Sequence, residues 1–253
     1  MAVNNSLAKK QTNTIKGYIK TYESEIAKAL PKVMTPERFT RIATSAVSNN
    51  PKLEECTPIS FISALMNAAQ LGLEPNTPLG QAYLIPYGKQ CQFQIGYKGL
   101  IDLAYRSGEF KNISAHIVYE NDEFDYEFGL EPKLKHKPAK TNRGKPIYYY
   151  AVFNLVNGGF GFEVMSHEEV EAHGKQYSKT YNNGPWITNF ESMALKTVMK
   201  KALKYAPLKS DFVLSVETDE TIKSKIDTDM SSVPSDSIDV DFNVKETEEP
   251  ALL

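Results

Sequence analysis

Three groups of residues in this 253-residue chain have the types and spacing to grip a polyanion. The first lies on CQFQIGYKGLIDLAYRSG, residues 91–108, where a strand pattern gives way to a helix pattern and Tyr97-Lys98 stands between Gly96 and Gly99. Flanking glycines allow close backbone approach, Tyr97 offers a stacking face, and Lys98 and Arg106, with Lys111 just beyond the stretch, offer phosphate contacts. The second is KLKHKPAKTNRGK, residues 133–145, with Lys133, Lys135, Lys137, Lys140, Arg143 and Lys145 and no carboxylate. Its Pro138 and Gly144, with Pro146 just beyond, suggest a loop or extended arm, a form that often tracks phosphates. The third is PWITNFESMALKTVMKKALKYAP, residues 185–207, which reads as one long amphipathic helix. At 100° per residue Ala194, Leu195, Val198, Met199, Ala202 and Leu203 share one arc, and Lys196, Lys200, Lys201 and Lys204 the other. Four lysines with no acid after Glu191 repel one another unless something anionic lies over them. Trp186 and Phe93 join Tyr97 as rings that would stack on bases or wedge between them. Each basic group also has a plainer reading as a solvated charged face.

Other chemistries have less support. The acids Glu120, Asp122, Glu123, Asp125 and Glu127 would suit a Mg²⁺-dependent nuclease, but their crowding at a turn fits a solvated hairpin tip. His167 and His173 lack the HExxH spacing and fall on different helix faces. Cys56 and Cys91 have no CxxC spacing and read as reduced, packed thiols. No GxxxxGK[ST] or GxGxxG motif is present, which argues against an ATP-driven motor and a dinucleotide enzyme. No catalytic residue, metal ligand or cofactor is therefore assigned, and Mg²⁺ is left unassigned.

The elements that must position these residues alternate in blocks. Residues 1–50 form an N-terminal helical segment, with Ile15, Ile19, Tyr22 and Ile26 on one face and a second helix opened by Thr35-Pro36, its Phe39, Ile42, Ala46 and Val47 inward. Residues 51–210 form the core: a helix capped by Thr57-Pro58, a hairpin around Tyr87-Gly88-Lys89, a hairpin turning at Asn157-Gly158, and a helix opened by the Ser166/Glu169 capping box. Helices, hairpins and helices without βαβ alternation predict an α+β fold, an antiparallel sheet of hairpins flanked by helices. Residues 211–253 read as an acidic disordered tail. The formal net charge of −2 divides into +7 over residues 1–210 and −9 over residues 211–253. Such asymmetry points to a polyanion-binding body whose tail competes for the groove or docks a partner. No apolar run approaches the roughly 20 residues of a membrane span, so a cytoplasmic location is expected.

The segments LGLEPNTPLGQAYLIPYG, FQIGYKGLIDLAYRSG and WITNFESMALKTVMKKALKYAP, in this order, resemble the RecT family of phage and prophage single-strand annealing proteins. The resemblance covers roughly residues 30–210. It implies a recombinase that needs no ATP, coats single-stranded DNA, pairs it with a complementary strand and holds the nascent duplex. It also implies rings or helical filaments, work beside a phage 5′→3′ exonuclease, and contact with the host single-strand-binding protein. The alternatives carried from the residues are the metal-dependent nuclease and a non-catalytic single-strand nucleic-acid-binding scaffold.

Overall fold

The computed structural model describes residues 14–178 and 181–206, and, beyond them, 219, 222, 223, 225–227, 229, 230, 232, 233, 235 and 236. The fold is α+β with antiparallel pairings, as the block pattern predicts.

The first predicted helix is two, α1 (Ile15–Thr21) and α2 (Glu23–Ala29), because the backbone leaves helical geometry at Tyr22. Thr35 caps α3 (Pro36–Asn49) through the N–H of Arg38, with Pro36 in the first turn. Ala43 takes the inward place expected of Ile42, which is only half-buried. Helix α4 (Pro58–Leu71) is enclosed on every side from Ser60 to Ala69, a consequence of its apolar and small residues, and ends on Gly72 at φ 60°. Ile59, in the first turn before this enclosed stretch, is exposed. The α4 hydroxyls that burial would otherwise strand are partnered. Ser60 Oγ accepts from the N–H of Cys91, and Ser63 Oγ donates to the carbonyl of Lys225.

Strands β1 (Ala82–Tyr87) and β2 (Gln90–Ile95) form the expected hairpin around Gly88-Lys89 and lie on α4. Cys91, Phe93 and Ile95 face the core, and Cys91 meets Cys56 in a thiol contact that a separation of 35 positions hides from the sequence. Helix α5 (Tyr97–Ser107) follows directly and leads into β3 (Phe110–Tyr119). Strand β3 pairs with β6 (Pro146–Leu155), and β6 with β7 (Phe160–Ser166), in a three-stranded sheet. The β6–β7 loop is longer than the expected two residues: Leu155 N–H donates to the carbonyl of Gly159, and only Gly158 takes positive φ.

Behind the sheet, Ser166 and Glu169 complete the predicted capping box at the start of α6 (His167–Tyr177). The predicted long C-terminal helix is interrupted. It begins as a single turn, α7 (Pro185–Thr188), leaves helical geometry at Asn189, and restarts as α8 (Phe190–Leu203), which crosses the sheet beside α5. One buried cluster joins Ile15, Phe39, Leu65, Phe93, Tyr149 and Val198, so the N-terminal helices share a single core with α4, the sheet and α8.

Two results depart from the sequence expectation more sharply. The basic run 133–137 is a strand, β5 (Lys133–Lys137), paired with β4 (Glu123–Glu127), and this hairpin covers part of the sheet's outer face through Phe124, Leu134, Tyr148 and Tyr150. The region taken as a free tail is also attached: Met230 and Val233 are buried in the core, and β8 (Ile222–Lys223) packs on α4 and pairs with β9 (Ser235–Asp236). The rest of the expected tail, residues 211–218 and 237–253 among them, lies outside the described residues.

Candidate nucleic-acid interface

The Tyr97-Lys98 corner is built by close backbone packing. A Cβ on Gly96 would stand 2.1 Å from the carbonyl oxygen of Gly80, and one on Gly99 would stand 2.1 Å from that of Gln81. The glycines therefore seat the loop before β1, a role different from the ligand approach expected of them. Pinned this way, the corner presents Lys98 to solvent and leaves Tyr97 half-buried. Tyr83 on β1, 40% exposed, reaches the same place, its ring 3.1 Å from the Cβ position of Gly96 and its hydroxyl 3.2 Å from that of Gly80. Sequence reasoning missed Tyr83; the alternation of β1, which turns it away from buried Ala82 and Leu84, was the available signal.

A single carboxylate joins this corner to α8. Asp219 Oδ1 accepts from the N–H of Ile95 at 2.7 Å, and Oδ2 lies 2.9 Å from Lys196 Nζ and 3.0 Å from Lys200 Nζ. The exit of β2 and the lysine face of α8 are thus neighbours. Burial alone would push the Asp219 carboxyl up, but the two ammonium groups and the Ile95 N–H outweigh it and hold the group below its ordinary value. Lys196, expected to face outward, is buried and ion-paired to Asp219, a residue from beyond position 210. Lys200 is partly exposed, Lys201 half-buried and Lys204 exposed, and neither Lys201 nor Lys204 has an ion-pair partner among the described residues.

Several other expected site residues have structural work. Arg106 donates from Nη1 to the carbonyl of Leu71 at 2.8 Å and pairs through Nη2 with Asp102 at 2.7 Å, closing the C-terminus of α4. Trp186 is 6% exposed, packed edge-on to Phe190 and against Tyr181, where a Cβ on Gly174 would strike its ring. It anchors α6 to the α7–α8 junction and presents no face to a base. Phe93 is fully buried. Lys133 faces Glu127, and Lys135 and Lys137 face Glu123 at 2.8 and 3.3 Å, so the two runs of opposite sign neutralise each other across a hairpin. These pairs are exposed and contribute little to stability. Lys111 is exposed at the start of β3.

The acids at 120–127 are equally committed. Asp122, with no exposed side-chain surface, accepts from Arg143 Nε at 3.0 Å, the N–H of Tyr119 and the N–H of Ala139. The Arg143 hydrogen bonds hold its carboxyl well below the usual carboxylate range. Among the described residues no group of three or more His, Cys, Asp and Glu is placed to hold a metal ion. No helix among them is long and apolar enough to cross a membrane. His167 Nδ1 lies 3.2 Å from the Tyr149 hydroxyl, and the His173 ring lies tilted beside Tyr177 and Trp186.

A pinned corner carrying the exposed Tyr83 ring, the half-buried Tyr97 ring and an ammonium group, beside further lysines, can hold a phosphodiester backbone while bases rest on aromatic faces. That is the equipment of a protein that binds single-stranded nucleic acid. Comparison with known proteins agrees: the chain matches the RecT family over residues 37–234, and it belongs to that family. It is 43% identical over 219 residues to Protein RecT of Escherichia coli K12, covering 83% of this chain and 81% of that protein. It is 31% identical over 262 residues to the uncharacterized protein YqaK of Bacillus subtilis 168, covering 99% of this chain and 90% of that protein. The chain is a single-strand DNA annealing protein of homologous recombination, and the comparisons do not favour the nuclease or scaffold alternatives.

Proposed function

We propose that annealing takes place on the surface shared by the corner and the end of α8, without nucleotide hydrolysis and without a cofactor. The observation that supports this surface is the Asp219 carboxylate, which by touching both Ile95 N–H and Lys200 puts the two basic elements side by side. Lys98, Lys111, Lys201 and Lys204 neutralise phosphates, and Tyr97 and Tyr83 carry bases. Contacts centred on the backbone leave Watson–Crick edges free to sample a partner strand, which base-edge contacts would prevent. Copies of the chain assemble along the strand as a ring or helical filament. A phage 5′→3′ exonuclease supplies the single strand, the host single-strand-binding protein is the other partner, and the setting is cytoplasmic.

Pairing of two labelled complementary oligonucleotides at low ionic strength, without ATP, tests the surface. The intact protein accelerates pairing and leaves both strands whole, while Lys98→Glu/Lys204→Glu binds weakly and anneals slowly. Full annealing by the double variant would place the DNA elsewhere.

A further inference from the structure

The edge of β3, unpaired among the described residues, and the basic arm that follows β5 border an open cleft of about 420 Å³, of the size that small ligands occupy. Its walls include His116, Tyr119, His136, Pro138, Arg143 and Tyr150. No carboxylate lines it: Asp122 lies behind Arg143, fully withdrawn from solvent. A cleft surfaced by a guanidinium, two imidazoles and two phenols suits a ligand that is at once anionic and aromatic.

We propose that this cleft is a nucleotide subsite, which takes one phosphodiester and its unpaired base from the bound single strand. The assignment rests on the annealing function and adds a second contact away from the Tyr97-Lys98 corner. Arg143 is set for the phosphate. Its Nε and Nη2 are committed to Asp122, Nη2 also donates to the carbonyl of Ile117 at 3.2 Å, and its guanidinium carbon sits 4.2 Å from the centre of the Tyr119 ring. Nη1 is left without a partner among the described residues, so the group is held rigidly with donors to spare.

The strand edge adds donors. Ile113 N–H reaches the Tyr105 hydroxyl, Ile117 C=O accepts from Arg143, and Tyr119 N–H donates to Asp122, so this row of β3 points away from β6. The alternation of an antiparallel pair turns the N–H groups of Ala115 and Ile117 the same way, towards the cleft. His116 stands exposed at the lip, its ring 5.2 Å from that of Tyr150, and supplies the face on which the base rests. His136 is locked beneath it, with Nδ1 3.1 Å from the Tyr150 hydroxyl and Nε2 3.1 Å from Asp122. Flanking phosphates meet Lys140 and Lys145, both exposed and without ion-pair partners among the described residues. Glu120, an exposed acid that follows β3 beside the arm, accepts from the N–H of Lys145. Because every base has a stacking face and no base edge is read, the subsite is indifferent to sequence.

Photo-crosslinking of the full chain to oligo(dT) carrying 5-iodouracil tests the assignment. Arg143→Ala is avoided, since it would strand Asp122 without its counter-charge. The lip variants His116→Ala and Lys140→Glu leave that network intact. In the intact protein, adducts map to the peptide spanning residues 112–119 or to Tyr150, and His116→Ala lowers that adduct about five- to tenfold, the loss expected of one stacked base. Adducts confined to the Tyr97 region, or a yield untouched by His116→Ala, would overturn the subsite while annealing by the same samples upheld the wider function. Protection of the cleft by poly-glutamate at concentrations where oligo(dT) gives none would assign it to an acidic peptide and overturn the proposal equally. An intact protein that fails to pair strands at all would remove the function on which the subsite rests.

Discussion

Asp219 and Lys196 form an ion pair 2.9 Å long in which neither side chain has more than 5% of its surface exposed. The two residues stand on either side of a stretch that lies outside the described residues, and their contact ties the region beyond residue 210 to the sheet-crossing helix. Lys200 shares the same carboxylate oxygen, so one acid answers two of the four lysines that had no partner in the sequence around them. The repulsion anticipated along α8 is relieved in part from within the chain.

Removing that acid takes one carboxylate from two ammonium groups at once, that of buried Lys196 and that of Lys200, which is costlier than losing a single exposed pair. Asp219→Ala is expected to lower stability by about 3 kcal/mol, a fall of roughly 6–12 °C in Tm for a chain of this size. Thermal unfolding followed by circular dichroism measures it, and an unchanged midpoint would show that the lysine finds water or another acid.

Acid should act through the same group and through Asp122. Both carboxyls sit below their ordinary values in the fold, Asp122 chiefly because of Arg143 and Asp219 because its two lysines outweigh burial. A depressed carboxyl stabilises the fold fully above its unfolded pKa, about 4, and that contribution drains away as pH falls towards the folded value. Denaturant midpoints should therefore be insensitive to these two groups between about pH 6 and 8 and drop below about pH 4. A midpoint that held constant to about pH 2.5 would contradict both assignments.

Much of the frame was legible because its signals are local. Thr35-Pro36, Pro58 with Gly72, and Ser166 with Glu169 mark helix ends by chemistry that acts within four residues, and all three fall where expected. The failures are long-range. Nothing near Lys196 announces Asp219, 23 positions on, and nothing near Lys135 announces that Glu123 will face it across a hairpin. Trp186 misled for a related reason: a lone aromatic beside a basic helix looks like a base wedge until Gly174, on another helix, is seen to be shaped around it.

Trp186 is the chain's single tryptophan, so fluorescence tests its placement directly. Its emission should be that of a buried indole, resist quenching by iodide, and change little when oligo(dT) is added. A Tyr97→Trp variant in a Trp186→Phe background should instead be quenched strongly by the same oligonucleotide. Strong quenching of the natural tryptophan would return it to the DNA surface.

The corner should depend on Gly99 for packing reasons alone. A methyl group there meets the Gln81 carbonyl at 2.1 Å, so Gly99→Ala must shift the loop before β1 and is expected to cost about 1–3 kcal/mol. Gly88, whose Cβ would meet nothing within 4 Å, provides the contrast, with only the roughly 1–2 kcal/mol penalty of its positive φ. DNA affinity separates the two further, since only the first change displaces Tyr83 and Lys98 relative to one another. Equal losses of affinity would mean that the loop does not position the corner.

The salt dependence of binding distinguishes lysines that meet phosphates from those that hold the fold. Each phosphate contact on a single strand contributes about 0.7 to the slope of log affinity against log salt. Lys98→Ala and Lys204→Ala should each flatten the slope by nearly that amount with Tm unchanged, because neither side chain has an ion-pair partner among the described residues. Arg106→Ala should do the reverse, lowering Tm through the lost cap on Leu71 while leaving the slope alone. A slope that flattened with Arg106→Ala and not with Lys98→Ala would move the DNA path from the corner to the far end of α5.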